Sequence, residues 1–358
     1  MREFLAKVPI PTGGVSLGLA ALGILLKQFS IAAYIACGIS AALMLSLLLG
    51  RLFVDASSVR KDFDNPILAS VSATFLMALM QLTTYVAPFA YVPALLVWSV
   101  AVLLHAVLIV WFTMRHLMQF QLKNVYPTYF ICYVGIVVAS VSSPTYGLET
   151  LGQFIFWFGF VAYIALLVLV TARYIKHPVE EGARPLFCIY TAPMSLSLAG
   201  YLAVEPTPNA AFACALAVLA QVLLVVVLAR LPHFLRLKFY PSYAAMTFPF
   251  VITATALDRT LTLLANSGVA FPAVLHLLAY AEVVLACVMV LYVFVRYIAE
   301  FMKLPLIIVM PGREGHDVPL RPADEVFRLA RKHDRAVFQI SVIQRAYADG
   351  IARGDIFP

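Results

Sequence analysis

Charge is what this chain has least of. Only 12% of its residues are Asp, Glu, Lys or Arg, against about 25% in a soluble domain, which excludes an ordinary water-facing surface. Cysteine is sparse too. Cys37, Cys132, Cys188, Cys214 and Cys287 each lie inside an apolar run, and no pair has C-x-x-C spacing. That pattern argues against a disulfide framework or a thiolate metal site, since buried Cys behaves as a small hydrophobe. The P-loop, H-E-x-x-H, G-x-S-x-G and the dinucleotide-binding glycine fingerprint are all missing. The sequence therefore reads as no enzyme, with no cofactor and no metal. A leader is not evident either, because Met1 to Val8 is short and polar and no A-x-A site follows the first apolar run.

What is abundant is apolar length. Hydrophobic residues make up 63% of the 358, and mean hydropathy is +0.93. Runs such as Ile31 to Leu49, Val92 to Phe112 and Ala210 to Leu228 approach the ~20 residues that span a bilayer. We read ten spans, at 10–27, 30–51, 66–85, 92–114, 127–145, 151–173, 185–203, 208–230, 241–264 and 272–298. The net charge of +7 is explained by placement rather than by nucleic acid, for which no partner role is expected. Of 25 Lys and Arg, all but Lys27 and Arg259 fall on the N-terminal side of this arrangement. By the positive-inside rule, both termini are expected in the cytoplasm, with the chain in the cell (inner) membrane.

Odd and even spans differ in kind. Even spans are greasy, as in QVLLVVVLA at 221–229, whereas odd spans are rich in Gly, Ala, Ser and Thr. Small residues let membrane helices approach closely; hydroxyls there either cross-link helices or line a wet cavity. Each odd span also begins at a proline, at 11, 66, 127, 185 and 241, with intervals of 55, 61, 58 and 56 residues. Proline suits a first helical turn, and its near-regular return reads as a helical hairpin repeated five times. The expected fold is an all-α polytopic membrane protein, with ten helices as five hairpins in a pseudo-five-fold ring. Odd helices surround a pore and even helices face lipid.

With the prolines as register marks, Gly18, Ala73, Val134, Ala192 and Phe248 fall seven residues on. Leu19, Thr74, Gly135, Pro193 and Pro249 fall eight on. A mid-helix proline or glycine permits a kink, tolerated in a membrane where the freed carbonyl finds a partner or water. At this level one phenylalanine intrudes among small and medium residues. Phe248 is the expected gate, a hydrophobic constriction that excludes water; filling a core gap is the plainer alternative. The expected lining adds Gly14, Ser70, Ser140, Thr191, Ser195, Thr247 and Thr253 to the mid-level residues Gly18, Ala73, Thr74, Val134, Gly135, Ala192, Pro193 and Pro249. Ser72, another hydroxyl of the third span, is a further candidate. Hydroxyls can hydrogen-bond an anion, the odd helices start on the basic side with their positive dipole ends there, and no acidic ring favours cations. Asp258, Arg259, His276, Glu282 and His105 are the ionisable groups within or beside later spans. The last three sit on even helices, where packing is at least as good a reading as a proton relay.

PTGGVSLGLAALG at 11–23, DNPILAS at 64–70, Tyr126-Pro127 and MTFPF at 246–250 resemble the tellurite-resistance/dicarboxylate transporter family. Bacterial tellurite-resistance proteins, plant slow anion channels and fungal malate and sulfite transporters belong to it. The resemblance covers about residues 7–300. It implies five inner and five outer helices around one pore per protomer, usually in a homotrimer, with a ninth-helix phenylalanine as plug; Phe248 falls on that position. Relative to the family, the first helix looks shortened and a C-terminal tail is added.

The expectation is thus an anion channel or facilitative transporter of small inorganic or carboxylate anions. Residues 1–303 would form the pore domain and 304–358 a short cytoplasmic helical tail, with helices over ADEVFRLARKH and AVFQISVIQRAYADG. One alternative is a proton-coupled C4-dicarboxylate, sulfite or tellurite-resistance carrier. Another is a non-conducting scaffold or sensor that acts through the tail.

Overall fold

The computed structural model describes residues 2–306 except Gln119; their regular structure is all helical, with no strand among the described residues. The tail helices expected beyond that point lie outside the described residues. In chain order the bundle contains α1 (Thr12–Leu26), α2 (Ile31–Val54), α3 (Pro66–Val86), α4 (Tyr91–Leu117) and α5 (Thr128–Tyr133 with Val137–Ser142). It continues with α6 (Glu149–Lys176), α7 (Glu181–Val204), α8 (Ala210–Leu235), α9 (Pro241–Asn266) and α10 (Val274–Leu306). Eight are long and apolar enough to cross a bilayer. The other two expected spans take other forms: α1 has only 15 residues, and α5 is broken into short pieces.

The boundaries follow from local chemistry. Ser30 opens α2 by accepting a hydrogen bond from the Ala33 N–H. Asn65 accepts from the N–H groups of Ile67 and Leu68, while Pro66 occupies the first turn of α3. Asn209 caps α8 through the Phe212 N–H in the same way. Gly147 and Gly268, at φ 67° and 68°, close the far ends of α5 and α9 in the left-handed region that favours glycine. Buried Arg173 finishes α6 by donating to the carbonyls of His177 and Pro178, both at 3.1 Å, and lies over the Tyr126 ring at 4.5 Å. At the same basic end Arg51 of α2 donates to the Val8 carbonyl and pairs with Asp62. The Ser58 N–H and hydroxyl bond Asp55 and hold its carboxyl below the ordinary carboxylate range.

The odd helices close on one another: α1 packs on α3, α3 on α5, α5 on α7, α7 on α9, and α9 returns to α1. Each even helix leans on its own hairpin partner and on the next inner helix, with α10 bridging α9 and α1. Burial sorts the layers. Over their apolar windows α3, α7 and α9 are 56–83% buried, whereas the five even helices are 28–33% buried. Leu43, Leu96, Val161, Val225 and Val288 point outward from the even helices, as lipid contact requires.

Four of the five inner helices break at a common depth. α3 breaks at Ser72 and α5 over 134–136. α7 is 3₁₀ up to Thr191 and α-helical from Ala192. α9 changes from 3₁₀ to α across Thr247, which sits at φ −111°, ψ −89°. These points lie six to nine residues beyond the initial prolines, so the proline register describes real geometry. Proline is not required for the break, however, since α3 yields at a serine.

Candidate functional site

A cavity of about 330 Å³ runs along the ring axis. Its mouth is at the basic end, where Asn65, Glu180, Gly182, Pro241 and Ser242 border it. Its deepest walls are Met77, Gly135, Leu196, Phe248 and Pro249, and no residue of α3 beyond Met77, of α7 beyond Leu196 or of α9 beyond Pro249 contributes. Along α9 the cavity ends at the break, at Phe248 and Pro249, while on α3 and α7 it continues about one turn beyond, to Met77 and Leu196. Phe248 is 5% exposed and heads the α-helical part of α9, directly after the Thr247 break.

Of the expected lining residues, Gly14, Thr74, Val134, Gly135, Ala192, Pro193, Phe248 and Pro249 border this cavity. Gly18, Ser70, Ala73, Ser140, Thr191, Ser195, Thr247 and Thr253 do not. Ser72, the further candidate, does not border it either and donates to the Ala69 carbonyl at 2.6 Å. The hydroxyls among the second group are engaged with the backbone. Ser70 donates to the Pro66 carbonyl at 2.6 Å, Ser140 to Gly152 at 2.8 Å and Thr191 to Cys188 at 3.3 Å. Ser195 donates to Thr191 and Thr253 to Pro249, both at 2.8 Å, and the two oxygens meet at 3.0 Å. Thr247 bonds the Gly14 carbonyl across the α1–α9 seam at 3.0 Å. Gly18 lies on the same seam, where an added Cβ would stand 2.5 Å from the Thr247 Cβ. Even Thr74, which does face the cavity, spends its proton on the Val71 carbonyl at 2.7 Å.

The walls are consequently apolar. Leu186, Ile189, Pro193 and Leu196 form a stripe down α7 at three- and four-residue spacing, and Gly14 with Leu17 continue it on α1. That three- and four-residue spacing of apolar residues is legible in the sequence, but the hydroxyls between them mask it. Breaks in the backbone mark the deep end. New α-helical segments begin at Ala73, Val137, Ala192 and Phe248, and no side chain caps any of the four. First-turn N–H groups there bond back to the preceding segment, as Val137 does to the Val134 carbonyl and Phe250 to the Thr247 carbonyl, while Pro193 and Pro249 in the first α-helical turns of α7 and α9 have no N–H at all.

The ionisable groups singled out in the sequence stand apart from this cavity. His105 is buried and bonds the Cys132 carbonyl at 2.9 Å, a packing role. Glu282 is buried on α10, and His276 is exposed beside Phe271. Toward the far side, Asp258 meets Gln28 at 3.4 Å and Arg259 donates to the Ala199 carbonyl at 3.1 Å.

A closed ring of broken inner helices around an axial cavity, sheathed by lipid-facing helices, defines a polytopic membrane protein of the channel and transporter class. The chain matches the voltage-dependent anion channel (SLAC1) family over residues 7–298, and it belongs to that family, the tellurite-resistance/dicarboxylate group its motifs resemble. No individual curated protein matches it. The family is one of anion channels and transporters, and the match takes in all five hairpins and the cavity between them.

Proposed function

We propose that this protein conducts small inorganic or carboxylate anions along the ring axis, with Phe248 as the plug between the cavity and the far side. The carrying observation is the axial cavity, which has Phe248 in its wall at the depth where four inner helices break and new helical segments begin. Helix N-termini favour anions, and broken membrane helices that aim their N-terminal ends at an anionic substrate are a recurring device. An apolar ring in a narrow passage obstructs ions by excluding water. In the same reading the basic end is cytoplasmic, which the bias of Lys and Arg supports. The protein sits in the inner membrane as a homotrimer with one pore per protomer, as its resemblance implies. Residues 1–303 form the pore domain and 304–358 an accessory tail.

The test is anion flux into proteoliposomes, chloride and nitrate first, for wild type against Phe248→Ala. Slow flux that rises at least tenfold in the variant is the expected outcome. Equal flux in both would remove Phe248 as the plug. Absence of flux in both, with folded protein, would redirect attention to a proton-coupled carrier. Such a carrier needs an acid on the path; Glu180 borders the cavity mouth, whereas Asp258 and Glu282 do not border the cavity.

A further inference from the structure

Two further hollows lie on the outside of the ring, and they are built alike. One, of about 730 Å³, runs between α2 and α4 with α3 as its floor. The other, of about 780 Å³, runs between α6 and α8 with α7 as its floor. Each follows about 16 Å of its outer helix, from Leu104 to Arg115 on α4 and from Leu223 to Phe234 on α8. Both bodies are apolar, made of residues such as Leu76, Leu108 and Trp111 in the first and Leu167, Phe187 and Val226 in the second. Both have two arginines at the basic end, Arg60 with Arg115 and Arg184 with Arg230.

We propose that each hollow holds one anionic phospholipid of the leaflet at the basic end, its phosphate on the arginine pair and an acyl chain along the apolar trough. Three observations select this occupant. The hollows open sideways between outer helices whose exposed faces are mostly large apolar side chains, such as Leu96, Val107, Val168 and Val225, so hydrocarbon is the surrounding medium. Their volumes fall within the ~300–1,000 Å³ range of small-molecule sites. Their charge is confined to the end where the headgroup layer lies, and basic pockets between membrane helices suit anionic headgroups. The recurrence of the design at two places in one repeat makes a chance pairing of arginines a poor account. The sites are not equal. Arg115 already bonds Asp64 at 3.0 Å, whereas no acid borders the α6–α8 hollow, so the second holds its lipid more tightly. The first has Ser72, the break point of α3, in its floor, which sets a bound chain directly behind the cavity wall.

Native mass spectrometry of the full-length protein decides the matter, with phosphatidylglycerol and phosphatidylcholine of identical chains as probes. Two phosphatidylglycerols per protomer should survive at collision energies that strip phosphatidylcholine. Arg184→Gln with Arg230→Gln should weaken one by roughly thirtyfold, from about fivefold per arginine near the surface; Arg60→Gln with Arg115→Gln should release the other. The matching Arg→Lys variants should retain both lipids. Leu104→Trp and Val226→Trp, which fill the troughs and keep the arginines, should each expel one. Undiminished retention in the four-glutamine protein, or equal retention of phosphatidylcholine, overturns the proposal. Release by glycerol phosphate alone would mark a free-anion site, and a changed protomer number in the tryptophan variants would mark a second copy as occupant. Either result also overturns it. If the glutamine variants fail to fold, the lysine and tryptophan variants still give the answer.

Discussion

Ser195 and Thr253 show how much depends on where one proton points. Each lies 2.8 Å from the carbonyl one turn back, and one of the two can donate instead to the other oxygen across the α7–α9 contact, 3.0 Å away. Ser195→Ala or Thr253→Ala should therefore lower stability by about 0.6 kcal/mol, the typical value for an interhelical bond in a membrane, and leave the ratio of nitrate to chloride flux unchanged. A shifted ratio in liposome assays would put these hydroxyls on the ion path. Gly18 makes the opposite kind of demand. A methyl there meets the Thr247 Cβ at 2.5 Å and the Phe248 nitrogen at 3.1 Å, atoms that no side-chain rotation can clear. Gly18→Ala should cost about 1–3 kcal/mol as overpacking, seen as a lower melting temperature, and should displace Phe248, the proposed plug. In the sequence, Gly18 and the hydroxyls looked like lining because small and polar residues mark both a helix contact and a wet wall. Which of the two they serve depends on a hydroxyl rotor and a neighbour that periodicity cannot supply.

At the level of the helix, the lesson is the shared break. Prolines fixed the register, and the sequence placed possible kinks at Gly135, Pro193 and Pro249; α5, α7 and α9 do change course there. α3 was not foreseen to break, because Ser72 carries neither the missing N–H of proline nor the freedom of glycine. Its break belongs to the packing of the ring rather than to the residue. It follows that Pro249→Ala should leave the 3₁₀-to-α change at Thr247 in place and resting flux within about twofold of wild type. A continuous α-helix through 241–266 in the structure of that variant would return the cause to proline.

For the whole molecule, ten spans, alternating inner and outer helices and a closed ring were all legible, because lipid imposes a long apolar period and the prolines mark five copies. The apolar cavity wall and the arginine-rimmed outer troughs were not, since both arise where separate hairpins meet. The cavity is bordered entirely by residues before Phe250. Deleting residues 307–358 should therefore preserve both the flux gain of Phe248→Ala and the fold, as judged by liposome flux and monodispersity. Loss of flux in a well-folded truncation would instead favour a protein that acts through its tail.

The seam between α1 and α9, joined by the Thr247–Gly14 bond and covered by α10, also dictates an order of assembly. While the ribosome has delivered only the first eight helices, the inner walls form an open crescent whose gap faces lipid. The passage becomes sealed only when a segment from late in synthesis returns to one made at the start. A messenger cut short before the ninth helix therefore yields a polypeptide that can insert but cannot close the ring.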